Sequence, residues 1–201
     1  MIRGRVSVCV HPSAFFALAV MLWFNDVKTV LWMLLSLLFH ELGHLTAARL
    51  QGRRVTAFSV DAGGMRLQVD TVPFSYMQDA LLHLCGPLFN LLLACFCFCL
   101  IRMHPTELSF FAFYFNLSLF LFHSLPLSSL DGGAALYALL CRRGEPDEAH
   151  RRASTVSHVV SFLSVLFLLF LLRKIGFHAS LVFGLLFFLG DLPRRKKVPA
   201  L

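Results

Sequence analysis

Residues 27–50 read VKTVLWMLLSLLFHELGHLTAARL, and the reading of this stretch decides the fold. The first half is apolar apart from Lys28. His40-Glu41-Leu42-Gly43-His44 then interrupts it, and the helical pattern resumes as far as Leu50. Histidines four residues apart lie one turn apart on the same helical face. That spacing lets two imidazoles reach one Zn²⁺ at about 2.0–2.1 Å each. Glu41 falls beside such a metal rather than on it, where it can take a proton from water. A helix that merely ends in a polar cluster is the plainer alternative. Membrane burial weighs against it, because two histidines and a carboxylate at that depth are costly unless something satisfies them.

Working outward, the composition agrees with a membrane setting. Of 201 residues, 58% are hydrophobic and only 14% charged, and 22 are phenylalanine. A soluble domain carries about 25% charge. The expectation is an all-α polytopic membrane protein, a single membrane-embedded domain over residues 1–201 with about six transmembrane helices. The net charge of +7 sits mostly in short loops, so it reports topology, and no basic patch interleaved with aromatics points to nucleic acid. The six cysteines form no C-x-x-C pair and read as reduced apolar fillers. Ala17-Leu18-Ala19 lies inside the first apolar run rather than after it, so cleavage of a signal peptide is not expected.

In chain order, residues 5–10 alternate as a short strand, and His11-Pro12 ends it. Helices are expected at about 13–24, 27–50, 78–102, 107–124, 154–172 and 178–190. A β-hairpin is expected over 55–70, around Asp61-Ala62-Gly63-Gly64. It follows the metal helix directly and so can lie over the site, where an open edge could accept an extended peptide. The third helix holds Gly86-Pro87 and Asn90, a polar side chain that needs a partner in lipid. Residues 125–133 end in Leu130-Asp131-Gly132-Gly133, ahead of another short helix at 131–141. Asp131 is either a helix N-cap or the third ligand that HELGH lacks, since a catalytic zinc takes three protein ligands and one open position. Residues 142–153 read as a hydrophilic linker, and RRKK at 194–197 closes the chain.

Six spans place both termini on one side. Fourteen of the eighteen lysines and arginines then fall in the N-terminus, in 49–66, in 142–152 and in the tail, against Lys28, Arg102, Arg173 and Lys174 opposite. The positive-inside rule puts both termini in the cytoplasm. HELGH and Asp131 then arrive toward the same face of the bilayer.

These motifs, in this order, resemble the site-2 protease family of intramembrane zinc metalloproteases, peptidase family M50, over about residues 8–141. HELGH at 40–44, Gly63-Gly64, Gly86-Pro87-Leu88-Phe89-Asn90 and Leu130-Asp131-Gly132-Gly133 carry the resemblance. His11-Pro12, the six-span layout and the lack of a PDZ insertion look most like the branch that processes a sporulation sigma-factor precursor. That branch often ends in a CBS domain, which a sequence stopping at Leu201 is expected to lack. The resemblance implies one Zn²⁺ per chain, held by His40, His44 and Asp131, with Glu41 as general base and Asn90 lining the active-site region. Asn90, His123, Gly63 and Gly64 are the candidates for binding substrate or stabilising an oxyanion. The family pattern N-x-x-P-x-P-x-L-D-G is altered here. His123 stands where Asn is expected, and Ser128 and Ser129 occupy a stretch usually richer in proline. His123 can still donate a hydrogen bond, and it has the chemistry to ligate metal.

The expected activity is peptide-bond hydrolysis in a membrane-spanning or membrane-associated protein. The expected setting is the bacterial cytoplasmic or a sporulation-related membrane, with the lipid bilayer and a regulatory membrane partner as further contacts. A metal transporter or scaffold would line a path through several helices, whereas these polar residues cluster at one depth. An inactive relative would be expected to lose HELGH or LDGG, and both are intact.

Overall fold

The computed structural model describes residues 7–61, 64–69, 75–176 and 179–191. Along them run β1 (Ser7–Val10), α1 (Pro12–Phe24), α2 (Val27–Leu50), β2 (Val55–Asp61), β3 (Gly64–Val69), α3 (Tyr76–Met103), α4 (Glu107–His123), α5 (Asp131–Cys141), α6 (Pro146–Ile175) and α7 (Ala179–Asp191). The chain divides into two compact units, Met1–Ser124 and Leu125–Leu201. Among the described residues three helices, α2, α3 and α6, are long and apolar enough to cross a membrane, and the other apolar helices are shorter. The mostly helical build with a small sheet matches the expected class. Large apolar side chains face outward, with Trp23 84% and Phe16 71% exposed, as a lipid-facing surface requires.

In the first unit α3 packs against both α2 and α4. Small buried residues, among them Ala47, Ala48, Ala80, Ala94 and Ala112, allow the close approach that helices in lipid depend on. Asp26 caps α2, accepting from the Thr29 hydroxyl and from the Lys28 and Thr29 amides. The Thr29 hydroxyl first, and those amides after it, hold the exposed Asp26 carboxyl below its usual range. α2 stops in a Schellman motif. Gly52, at φ 73°, donates to the Arg49 carbonyl, and Arg53 donates to the Ala48 carbonyl. The buried Arg53 side chain then pairs with Asp79 in the first turn of α3. α3 opens with a Ser75–Gln78 capping box, and α4 with one formed by Thr106 and Ser109.

The sheet has the order β1-β2-β3. The hairpin pairs β2 with β3, from Val55↔Val69 to Asp61↔Gly64. The strand read at 5–10 is β1, which pairs parallel with β2 at Ser7↔Ala57 through Val10↔Val60; residues 5 and 6 lie outside the described residues. β2 is therefore central, with β1 and β3 on either side of it. Val69, at the end of β3, packs on Ala47, Ala48 and Leu82. Cys97 is buried while Cys95 and Cys99 are exposed, as their spacing along α3 requires.

In the second unit the expected linker at 142–153 is mostly helix. α6 begins at Pro146, a position where the missing N–H costs nothing, and Asp147 and Glu148 follow in its first turn. Arg152 pairs with Glu148 one turn away. Hydrophilic residues on an exposed helical end looked like a loop because apolar periodicity, the signal for helix, is absent there.

Candidate metal centre

α2 carries His40 and His44 on the face it turns toward α3. His44 Nδ1 lies 2.8 Å from the Leu82 carbonyl, which can only accept, so Nδ1 bears the proton. His40 Nδ1 lies 2.7 Å from Asn90 Oδ1. Asn90 presents that oxygen because its Nδ2 is committed to the Ser36 carbonyl at 3.1 Å, so His40 also donates from Nδ1. A neutral imidazole protonated at Nδ1 has a bare lone pair on Nε2. The two Nε2 atoms stand 3.2 Å apart. Two unprotonated nitrogens cannot hydrogen-bond to each other, so with both rings protonated at Nδ1 that short separation is not a hydrogen bond. It matches the spacing that two ligands of one ion would take: nitrogens about 2.0–2.1 Å from a tetrahedral zinc stand about 3.3 Å apart. Hydrogen bonds from the far ring nitrogens to a carbonyl and an amide oxygen are the usual support for metal-binding histidines.

Two glycines make room for this. A Cβ on Gly86 would lie 2.3 Å from His44 Nε2 and 2.9 Å from His40 Nε2. The space beside both lone pairs therefore exists only because residue 86 has no side chain. A Cβ on Gly43 would meet the Cys85 carbonyl oxygen at 2.4 Å, so α2 and α3 cross in near backbone contact. Pro87 lies inside α3 and lacks an N–H. α3 therefore lacks the bond from residue 87 to the His83 carbonyl, which is next along the chain to the Leu82 carbonyl that receives His44. The donor set, the bare lone pairs and the glycine-lined space fit a divalent cation of the zinc type.

Glu41 is half-buried beside His40 on α2. His123 is the last residue of α4, and its ring centroid lies 4.4 Å from that of His40. His83, one turn before Gly86-Pro87, brings its ring to 6.4 Å from His44. Asn90 is fully buried, and its amide is engaged at both ends by protein groups. Gly64 opens β3 at φ 121° with open space around it, and Gly63 lies outside the described residues.

Asp131 is the first residue of α5 in the second unit. Leu130 occupies the cap position and makes no side-chain cap, so Asp131 is not the N-cap. A Cβ on Gly133 would meet the Leu127 carbonyl oxygen at 1.9 Å, so the second glycine of LDGG lets the loop fold onto the helix start. Leu127 is wholly buried, and the Ser128 amide donates to Ser157 Oγ at 3.0 Å, tying that loop to α6.

Three residues of the centre escape a motif search. Ser36 lies one turn before His40, Asn116 lies two turns before His123, and His83 lies one turn before Gly86-Pro87. A lone asparagine within YFNLSL is a signal of the kind that Asn90 gave, since an amide in lipid needs a partner.

A sequence model described as Peptidase M50B-like matches residues 13–140. Stage IV sporulation protein FB of Bacillus subtilis (strain 168) is 30% identical over 152 residues, which cover 73% of this chain and 52% of that protein. The chain thus spans about half the length of the curated relative it matches. Among solved structures, the Site-2 Protease from Methanocaldococcus jannaschii superposes with a TM-score of 0.64 at 19% identity, covering 100% of this chain and 96% of that one. That likeness is one of fold.

Proposed function

The chain belongs to the site-2 protease family of M50 metallopeptidases, and from that premise we propose that it is an active intramembrane zinc metalloprotease. The observation that carries the reading is the pair of Nε2 atoms 3.2 Å apart beside Gly86, each on a ring whose Nδ1 lies against a fixed oxygen. His40 and His44 are two ligands of one zinc, and Asp131 is the third. Three protein ligands are what a catalytic zinc requires, and Asp131 is not occupied as an N-cap. Zinc in that place supplies a Lewis acid that polarises a peptide carbonyl and acidifies water.

The chain's own residues do the rest. Glu41 takes a proton from the attacking water as the new C–O bond forms, and passes it to the amine as the C–N bond breaks. With its amide engaged inside the protein, Asn90 holds His40. His123, where the family pattern has Asn, donates to the substrate backbone or to the developing oxyanion. The substrate must be extended at the scissile bond, because a helix shields its own amides. β1 covers one side of β2, so the peptide adds to the outer edge of β3, whose end at Val69 packs within a turn of His44.

The substrate is a membrane-spanning or membrane-associated protein, and the likeness to Stage IV sporulation protein FB supports a sigma-factor precursor. The setting is the bacterial cytoplasmic or a sporulation-related membrane, and the distribution of Lys and Arg supports both termini being cytoplasmic. The test is co-expression with candidate precursors, comparing the native chain with Glu41→Gln. The variant is expected to keep its zinc and to lose about 10²- to 10⁴-fold in cleavage. Cleavage by Glu41→Gln at the native rate would sink the mechanism. A native chain that holds zinc but cuts no candidate would favour a binding scaffold or inactive relative.

A further inference from the structure

We propose that Asn116, assisted by Ser36, is a positioning residue that fixes which nitrogen of His40 carries its proton. The proposal rests on His40 being a metal ligand.

The argument begins with groups that can only accept. The Ala112 carbonyl lies 2.8 Å from one end of the Asn116 amide, which must therefore be the NH₂ end. The Trp32 carbonyl lies 2.8 Å from the Ser36 hydroxyl, which must donate to it. With its one proton used there, Ser36 Oγ accepts the second Asn116 N–H at 2.9 Å. The other end of Asn116 is then its carbonyl, which accepts from Asn90 Nδ2 at 3.1 Å. Asn90 gives its second N–H to the Ser36 carbonyl at 3.1 Å. Its oxygen is left facing His40 Nδ1 at 2.7 Å, and the imidazole can only donate. Three backbone carbonyls on α2 and α4 thus dictate every polarity in a chain of bonds that ends at His40 Nδ1, the ring nitrogen opposite Nε2.

Ser36, Asn90 and Asn116 are each 0% exposed, so water cannot take over any of these roles. Asn116 is what makes the setting unique. Without it, Asn90 has a single anchor and can turn; with it, a flipped Asn90 would face two acceptors with an oxygen. The same face of α4 carries His123 two turns later, against the same imidazole.

The test uses the full chain in detergent with Co²⁺ as the probe. It reads the dissociation constant from the visible spectrum, and the His40 tautomer from ¹⁵N NMR of the metal-free protein. The native chain is expected to show the Nδ1–H form. Asn116→Leu, of similar volume, is expected to weaken cobalt binding about 10- to 100-fold and to admit the Nε2–H form. Asn116→Asp, neutral when buried, keeps an acceptor for Asn90 and one donor, and is expected to recover much of the affinity. A packing role alone would lower the melting temperature of Asn116→Leu without moving tautomer or affinity, and that result overturns the proposal. So does a native chain whose His40 is protonated at Nε2, a measurement that stands even if Asn116→Leu does not fold. His40→Ala separates the two levels. If it binds cobalt as tightly as the native chain, the ligand assignment falls and the positioning role with it. If His40→Ala loses the metal while Asn116→Leu keeps native affinity and tautomer, only the positioning role falls.

Discussion

Gly86 and Gly133 meet the same steric demand in different surroundings. Gly86 lies inside a 28-residue helix, and a Cβ there would strike the Nε2 atoms of His40 and His44. Gly133 lies in the first turn of an 11-residue helix, and a Cβ there would strike the Leu127 carbonyl. The imidazoles are set by long helices in near contact and by a closed network of buried hydrogen bonds. The Asp131 carboxylate is set by a loop whose fold depends on the close approach of Gly133 to the Leu127 carbonyl and on the bond from Ser128 to Ser157, with the Leu130 amide donating back to the Leu127 carbonyl. The lesson is that ligand spacing inherited from a helix is rigid, whereas a ligand at a helix start is only as well placed as the loop before it.

Substitutions at the two glycines can break that contrast. Gly86→Ala is expected to have the largest effect, because no rotamer change moves a Cβ. Zinc per chain, measured on the purified protein, should fall from one toward zero, and cleavage should be lost with it. A variant with full zinc content would mean that the space beside the imidazoles is not where the metal sits. Gly133→Ala is expected to displace the LDGG loop, at about 1–3 kcal/mol in stability. It should retain metal through the two histidines at reduced affinity, with cleavage falling further than binding. Equal losses of metal at the two glycines would erase the distinction drawn here. Ser157→Ala is the mildest test. It leaves the Ser128 amide without its acceptor and should cost about 0.5–1.5 kcal/mol, read as a small drop in melting temperature. A null result there would show that Leu127 packing alone holds the loop.

Much of this was legible along the chain. Apolar runs marked every helix except the start of α6, where an exposed face carries charges instead. Asp61-Ala62-Gly63-Gly64 between two β-type runs marked the hairpin, and i, i+4 spacing put His40 and His44 on one face. What could not be read was anything that depends on a neighbour across space. Ser36 and Asn116 are unremarkable letters eighty residues apart, and only the packing of α2, α3 and α4 makes them one network. The parallel pairing of β1 with β2, which makes β2 the central strand, likewise joins segments separated by α1 and α2.

The sequence by itself determined the membrane class, the helices and the chemistry available at His40, Glu41 and His44, because periodicity and residue type are local properties. The tertiary structure alone decided that both imidazoles turn their Nε2 atoms toward each other beside residue 86, where a Cβ would strike both. It also decided that Asp131 is not spent as a cap. The reason is physical: a proton's position on an imidazole is fixed by the partner opposite it, and that partner sits on another helix.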